Sequence, residues 1–249
     1  MNKIIQTSLL IYCTDTPSGK VALPIKDNNF IREMKANQHI HHLLFVCSNP
    51  TNHSKTDSYA KITLESFLLS GFKVDKMSVL DSRLDKNMAS LIKDSDVIFL
   101  AGGDTPTQMK YFDSILLKDE LHKYTDKVII GQSAGAMNLA NIVYNSPEVE
   151  DMATVATTYY NGLGFTDVNI EPHFDITNRD YIVKILLPDS LNRPFIALLN
   201  DSIIVKDTYG TRLYGEAYAF YSGKVKKICD SNTLRKLPEN ISELYSSLD

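Results

Sequence analysis

Paired cysteines, an excess of basic charge and long apolar runs are all missing from this sequence, and each absence removes a class of function. Its three cysteines, Cys13, Cys47 and Cys229, are odd in number, scattered and without a C-x-x-C pair. They build neither a disulfide framework nor a structural zinc site, and a cytoplasmic, reducing location suits them. Lys and Arg total 26 against 30 Asp and Glu, a net charge of −4, which gives no electrostatic footprint for a nucleic acid or an anionic membrane. No apolar run approaches the ~20 residues of a membrane span. The stretch "MNKIIQTSLLIYCTD" is broken by Gln6, Thr7 and Ser8, lacks a small-residue cleavage site and sets bulky Tyr12 before Cys13. Neither a secretion signal nor a lipoprotein cysteine is therefore expected, and Ser8 to Cys13 reads as a buried first strand. Internal repeats, low-complexity tracts and flexible linkers are lacking too, so the 249 residues, 43% hydrophobic, are expected to form a single domain spanning 1–249.

What is present is an alternation of short apolar runs with longer segments of helical period. "HLLFVCSNP", "KVDKMSV", "DVIFLAGG" and "KVIIG" read as strands, and "DNNFIREMKAN", "TDSYAKITLESFLLSG", "DKNMASLIKDS" and the segment from Pro106 to about Leu117 as helices. This rhythm predicts an α/β fold of three layers, a mostly parallel sheet with helices on both faces. Such sheets bind ligands at the carboxyl ends of their strands. Residues 145 to 167 carry Pro147, Gly162 and Gly164 and hold little periodicity, so a long, functional loop is expected there. From Val168 onward short strands return, and the later ones predict antiparallel strands at the carboxyl-terminal edge.

The stretch "IIGQSAGAMN" sets Ser133 between Gly131 and Gly135 at the end of a predicted strand. In a G-x-S-x-G turn the glycines relieve crowding against neighbouring elements and the serine is presented alone. "AGAMNLANIVY" reads as the helix behind it, so the amide of Ala134 can face a developing oxyanion. "VIFLAGGDTPTQM" offers a second strand end, with Thr105 as helix cap, Pro106 in first helical position and the amide of Gly103 as a further donor. A turn that merely connects two elements is the bland alternative.

A nucleophilic serine needs a base, and position separates the six histidines. His39, His41 and His42, in "HIHH", read as a solvated strand entrance rather than a metal site, and His53 and His122 carry no mechanistic argument. His173, in "VNIEPHFD", stands at a strand end where it can meet Ser133. The acid that orients the imidazole is expected from the irregular segment between them, which offers Glu148, Glu150 and Asp151.

With these residues assembled, the chain resembles the dipeptidase E and cyanophycinase family of serine peptidases, whose fold is like that of class I glutamine amidotransferases. The resemblance runs from roughly Ser8 to Gly223 and is most specific at "FLAGGDTPTQM", "IIGQSAGAMN", "GLGF" and "EPHF". It implies Ser133 as nucleophile, His173 as general base, and the amides of Gly103 and Ala134 as the oxyanion hole. Glu148 falls where dipeptidase E has its aspartate; with three residues inserted, Asp151 takes that place. The resemblance also implies a substrate-binding arginine in a helix after the histidine, where Arg179 stands.

The expectation is a cytoplasmic serine peptidase that hydrolyses small peptides, aspartyl dipeptides among them, through a Ser-His-Glu/Asp triad and an acyl-enzyme, with no metal or cofactor. Its partner is a small peptide, neither nucleic acid nor membrane, and a homodimer stays open. Two alternatives remain: another amide hydrolase or amidotransferase-like enzyme, and a catalytically silent binding module that keeps the turn without turnover.

Overall fold

The computed structural model describes residues 1–17 and 19–248. Strand β1 spans Lys3–Thr7, and β2 (Cys13–Thr16) pairs antiparallel with β3 (Gly19–Ala22). Then come α1 (Asn28–Glu33), β4 (His39–Val46), α2 (His53–Leu69), β5 (Lys73–Leu80), α3 (Met88–Asp94), β6 (Val97–Leu100), α4 (Thr105–Ser114), α5 (Leu117–Leu121) and β7 (Val128–Gln132). The predicted rhythm appears as an eight-stranded sheet ordered β16-β13-β12-β1-β7-β6-β4-β5. Here β12 is Ile203–Asp207, β13 Gly210–Tyr214 and β16 Leu234–Leu237. From β1 through β7, β6 and β4 to β5 every pairing is parallel, and from β1 out to β16 every pairing is antiparallel.

Sheet interiors are apolar on both faces because helices cover them. All four residues of β6 are buried, as are the first four of β7, and Phe45 stacks on Phe99 at 5.9 Å. The first strand is not the expected one. Lys3–Thr7 forms it, while the more apolar run after Ser8 turns into a connection: Leu10 and Ile11 are buried and their amides donate to the Gln132 side chain at 3.0 and 2.8 Å. A polar Gln6 is tolerated in an interior strand because its amide donates to the carbonyls of Ala136 and Val168 at 2.9 and 3.3 Å.

The carboxyl-terminal strands divide between two sheets. Besides the antiparallel edge already described, β10 (Ile170–Glu171), β11 (Phe195–Leu198), β14 (Ala217–Tyr221) and β15 (Lys224–Cys229) form a separate four-stranded sheet in that order, with β10 and β11 parallel. Helix α6 is short, Ala134–Met137, and the chain then enters β8 (Ile142–Asn145), paired with β9 (Thr158–Asn161) inside the segment predicted as loop. Helices α7 (Arg179–Tyr181) and α8 (Leu187–Asp189) flank a π-helical stretch at Ile182–Leu186, and α9 (Ile241–Ser246) ends the fold. Among the described residues no helix is long and apolar enough to cross a membrane.

Candidate active site

Ser133 follows β7 directly and adopts φ 50°, ψ −114°, a left-handed conformation that costs a non-glycine residue on the order of 1–3 kcal/mol. Two backbone bonds hold it there: its amide donates to Thr7 O at 2.9 Å, and its carbonyl accepts from Met137 at 2.9 Å. The flanking glycines are dictated by close approach. A Cβ on Gly131 would lie 2.5 Å from the Gly135 carbonyl oxygen, and one on Gly135 would lie 2.3 Å from the Leu100 carbonyl oxygen. The turn therefore folds tightly against β6 only with these residues.

The second turn is braced to the first by buried amides. Gln108 donates to Ala101 O at 2.7 Å, while Asn138 donates to Thr105 O and to Gln108 Oε1, both at 3.0 Å. Asp104, rather than Thr105, caps α4, accepting from the Thr107 amide at 2.9 Å. No intramolecular acceptor among the described residues takes the amide of Gly103 or Ala134. Gly103 lines two cavities that also include Ser133.

His173 stands two residues beyond β10, and its Nε2 lies 3.0 Å from Ser133 Oγ. It too is left-handed, at φ 55°. Its amide donates to the buried Ser8 hydroxyl at 2.7 Å, and the next amide, of Phe174, donates to Leu198 O at 3.1 Å. Phe174 anchors the segment in an aromatic cluster with Phe220 at 5.5 Å, which continues through Phe195 to Tyr144 at 5.0 and 4.3 Å.

The partner of the His173 ring is not one of the expected carboxylates. His173 Nδ1 lies 2.8 Å from Oδ1 of Asn200, two residues beyond β11. Because β10 and β11 are adjacent and parallel, with Glu171 beside Ala197, the residues after their carboxyl ends meet. An amide oxygen accepts only from a protonated Nδ1, which leaves Nε2 with its lone pair toward the serine. Ser8 Oγ also reaches Asn200 Oδ1, at 3.5 Å.

Glu148 and Asp151 are exposed and hold no hydrogen bond to the imidazole. The reason lies in how their loop is tied. Ser146 donates to Glu171 at 2.8 Å and Tyr181 donates to Pro147 O at 2.7 Å, drawing the loop toward α7. Glu148 then lines a cavity of about 120 Å³ shared with Ser133, His173 and Glu171, whereas Asp151 lies outside it. Burial, reinforced by the charges of Glu148 and Asp189 and only partly offset by Ser146 and Tyr181, pushes the Glu171 carboxyl up to about 8. Arg179 is exposed at the start of α7 and lines neither cavity beside the serine.

The larger cavity reaching Ser133 measures about 520 Å³. Phe45, Ile62 and Phe99 wall it, with Lys55 of α2 as its lysine. Cys47 also lines it, but burial, followed by the charges of Asp81 and Asp85, pushes that thiol up to about 12. It stays protonated and does not compete as nucleophile. Sequence reasoning missed Asn200, Ser8 and Gln132. The signal available was a polar residue just past, or at the end of, an apolar strand run.

Comparison with known proteins follows the same lines. The family model of peptidase family S51 matches residues 25–212. Comparison with curated proteins gives no match. Among solved structures, a peptidase from an acI-B1 Actinobacterium superimposes with a TM-score of 0.62 at 13% identity, covering 95% of this chain and 97% of that one. A protein of Listeria monocytogenes EGD-e described as a peptidase E protein superimposes with a TM-score of 0.57 at 15% identity, covering 92% and 99%. At these identities the likeness is one of fold.

Proposed function

From the premise that this chain belongs to peptidase family S51 and is a serine-type peptidase, we propose that it hydrolyses small peptides through Ser133, His173 and Asn200. The carrying observation is the continuous relay from Ser133 Oγ to His173 Nε2 at 3.0 Å and from Nδ1 to Asn200 Oδ1 at 2.8 Å.

Ser133 Oγ attacks the scissile carbonyl as His173 Nε2 takes its proton, and Asn200 keeps the imidazole in the tautomer that can accept it. The amides of Gly103 and Ala134 receive the oxyanion; one such donor is worth about 10²–10³ in rate. The leaving amine departs with the proton from His173, and water then cleaves the acyl-enzyme by the same path in reverse. Asn200 brings no negative charge to offset the imidazolium, so the base is oriented rather than electrostatically reinforced.

The substrate is a short peptide whose carboxylate is received by Lys55 in the larger cavity. An aspartyl dipeptide fits this reading, with Lys55 in the part expected of Arg179. The test is a dipeptide-library screen of the wild-type chain against Ser133→Ala. Substitution of the nucleophile is expected to remove about 10⁶ of the chemical rate, and unchanged hydrolysis by the variant would refute the reading. A second reading, a binding module without turnover, draws on the neutral amide behind the imidazole. It requires peptide binding with no hydrolysis by the wild-type chain.

A further inference from the structure

We propose that His39 and His41 of β4 and Asp75 of β5 form a binding site for a first-row divalent cation of the zinc class, remote from Ser133. Strand period places His39 and His41 on one exposed face while Ile40 is buried on the other. The parallel register pairs Ile40 with Val74 and His42 with Lys76, which sets Asp75 beside His41. Both imidazoles turn to one carboxylate oxygen: His39 Nε2 lies 2.7 Å and His41 Nδ1 3.0 Å from Asp75 Oδ2. The three donor atoms lie within 4.8 Å of one another, and the two rings sit 4.3 Å apart.

A tetrahedral cation with bonds of about 2.0–2.1 Å holds its donors roughly 3.4 Å apart. The two separations from Asp75 Oδ2, 2.7 and 3.0 Å, therefore widen by less than an ångström on binding, within reach of side-chain rotation at exposed residues. Neighbouring groups fix the donors. Lys73 Nζ holds the other carboxylate oxygen, Oδ1, at 3.2 Å and leaves Oδ2 to the imidazoles. Asp96 accepts from the backbone amides of His41 and His42 at 2.6 and 3.2 Å, so the strand that carries the ligands is itself pinned. Two imidazoles and one carboxylate suit zinc, nickel or copper and do not suit magnesium, which demands oxygen donors. Water completes the coordination shell.

The site lies at the amino end of β4, and Ser133 follows the carboxyl end of β7 in the same parallel array. An eight-residue strand is about 25 Å long, so the cation takes no part in peptide cleavage. It ties the edge strand β5 to its neighbour β4, stabilising the folded chain by preferential binding. Only the fold could bring Asp75 to the two histidines, since it lies thirty-four positions beyond His41.

The test uses the untagged, metal-free full chain, titrated with Zn²⁺ against a chromophoric chelator. One equivalent is expected to bind in the micromolar range, Mg²⁺ is expected not to compete, and His41→Ala and Asp75→Asn are each expected to weaken binding by roughly tenfold or more. Zinc should raise the thermal midpoint of the wild-type chain and leave that of the His39→Ala, His41→Ala double variant unmoved. All three side chains are exposed, so these variants keep the fold, and circular dichroism checks that they do. Absence of binding at millimolar zinc, or stoichiometric binding retained by the double variant, would overturn the proposal and leave a hydrogen-bonded surface cluster.

Discussion

His173 Nδ1 and Asn200 Oδ1 face each other at 2.8 Å, across the carboxyl ends of two adjacent parallel strands. In the proposed mechanism this pairing orients the general base with a neutral amide where an acid was expected. Asn200→Leu should lower kcat by about two orders of magnitude, with little change in KM, because the ring loses its tautomer lock. Asn200→Asp should restore or exceed wild-type turnover and move the acidic limb of the pH profile upward, since a carboxylate stabilises the imidazolium. Equal kcat in all three proteins would remove Asn200 from the mechanism.

How far the sequence disclosed this site depends on the range of the interactions. Ser133 with its two glycines, and His173 after a strand, were legible because each is a local pattern of turn and strand. Asn200 was not, because the neighbour of the ring is decided by β11 lying beside β10, a pairing that joins Glu171 to Ala197. The same holds for the first strand. Lys3–Thr7 looks too polar for an interior strand, yet Gln6 finds the carbonyls of Ala136 and Val168, while the more apolar Leu10 and Ile11 are buried in a connection. Helical propensity after Met137 is likewise overridden, because Ile142–Asn145 pairs with Thr158–Asn161. The α/β rhythm and antiparallel edge were readable; the division into two sheets was not.

The glycines of the serine turn should be intolerant of any side chain. A Cβ at position 135 meets the Leu100 carbonyl oxygen at 2.3 Å and one at 131 meets Gly135 O at 2.5 Å, both of them backbone atoms that cannot swing aside. Gly131→Ala and Gly135→Ala are each expected to destabilise the fold by about 1–3 kcal/mol. Thermal denaturation would read this as a midpoint lowered by several degrees, and an unchanged midpoint would mean that the turn is looser than described.

Lys55 and Arg179 make a paired prediction about the substrate. Lys55 lines the cavity that contains Ser133, whereas exposed Arg179 does not. Lys55→Met should raise KM for an acidic dipeptide roughly tenfold with kcat nearly constant, the signature of lost uniform binding. Arg179→Ala should leave both constants within about twofold. The reverse pattern in steady-state kinetics would return the carboxylate to Arg179.

Buried Glu171 predicts a pH dependence of stability. Burial raises its carboxyl to about 8, while in the unfolded chain it titrates in the ordinary carboxylate range. Between those limits Glu171 holds its proton in the folded chain and not in the unfolded one, so its contribution to stability is greatest at low pH and is lost as pH rises through the window. Glu171→Gln removes this contribution. Denaturant unfolding at about pH 5 and about pH 8 should show a smaller loss for the variant than for the wild type, and equal losses would contradict the assignment.

The most direct test of Ser133 as an activated nucleophile is covalent labelling by a fluorophosphonate probe, read by mass spectrometry of the digested protein. One label is expected on Ser133 in the wild-type chain, none in Ser133→Ala, and much slower labelling in His173→Ala. A folded wild-type chain that takes no label, or one labelled elsewhere with Ser133→Ala unaffected, would contradict that role.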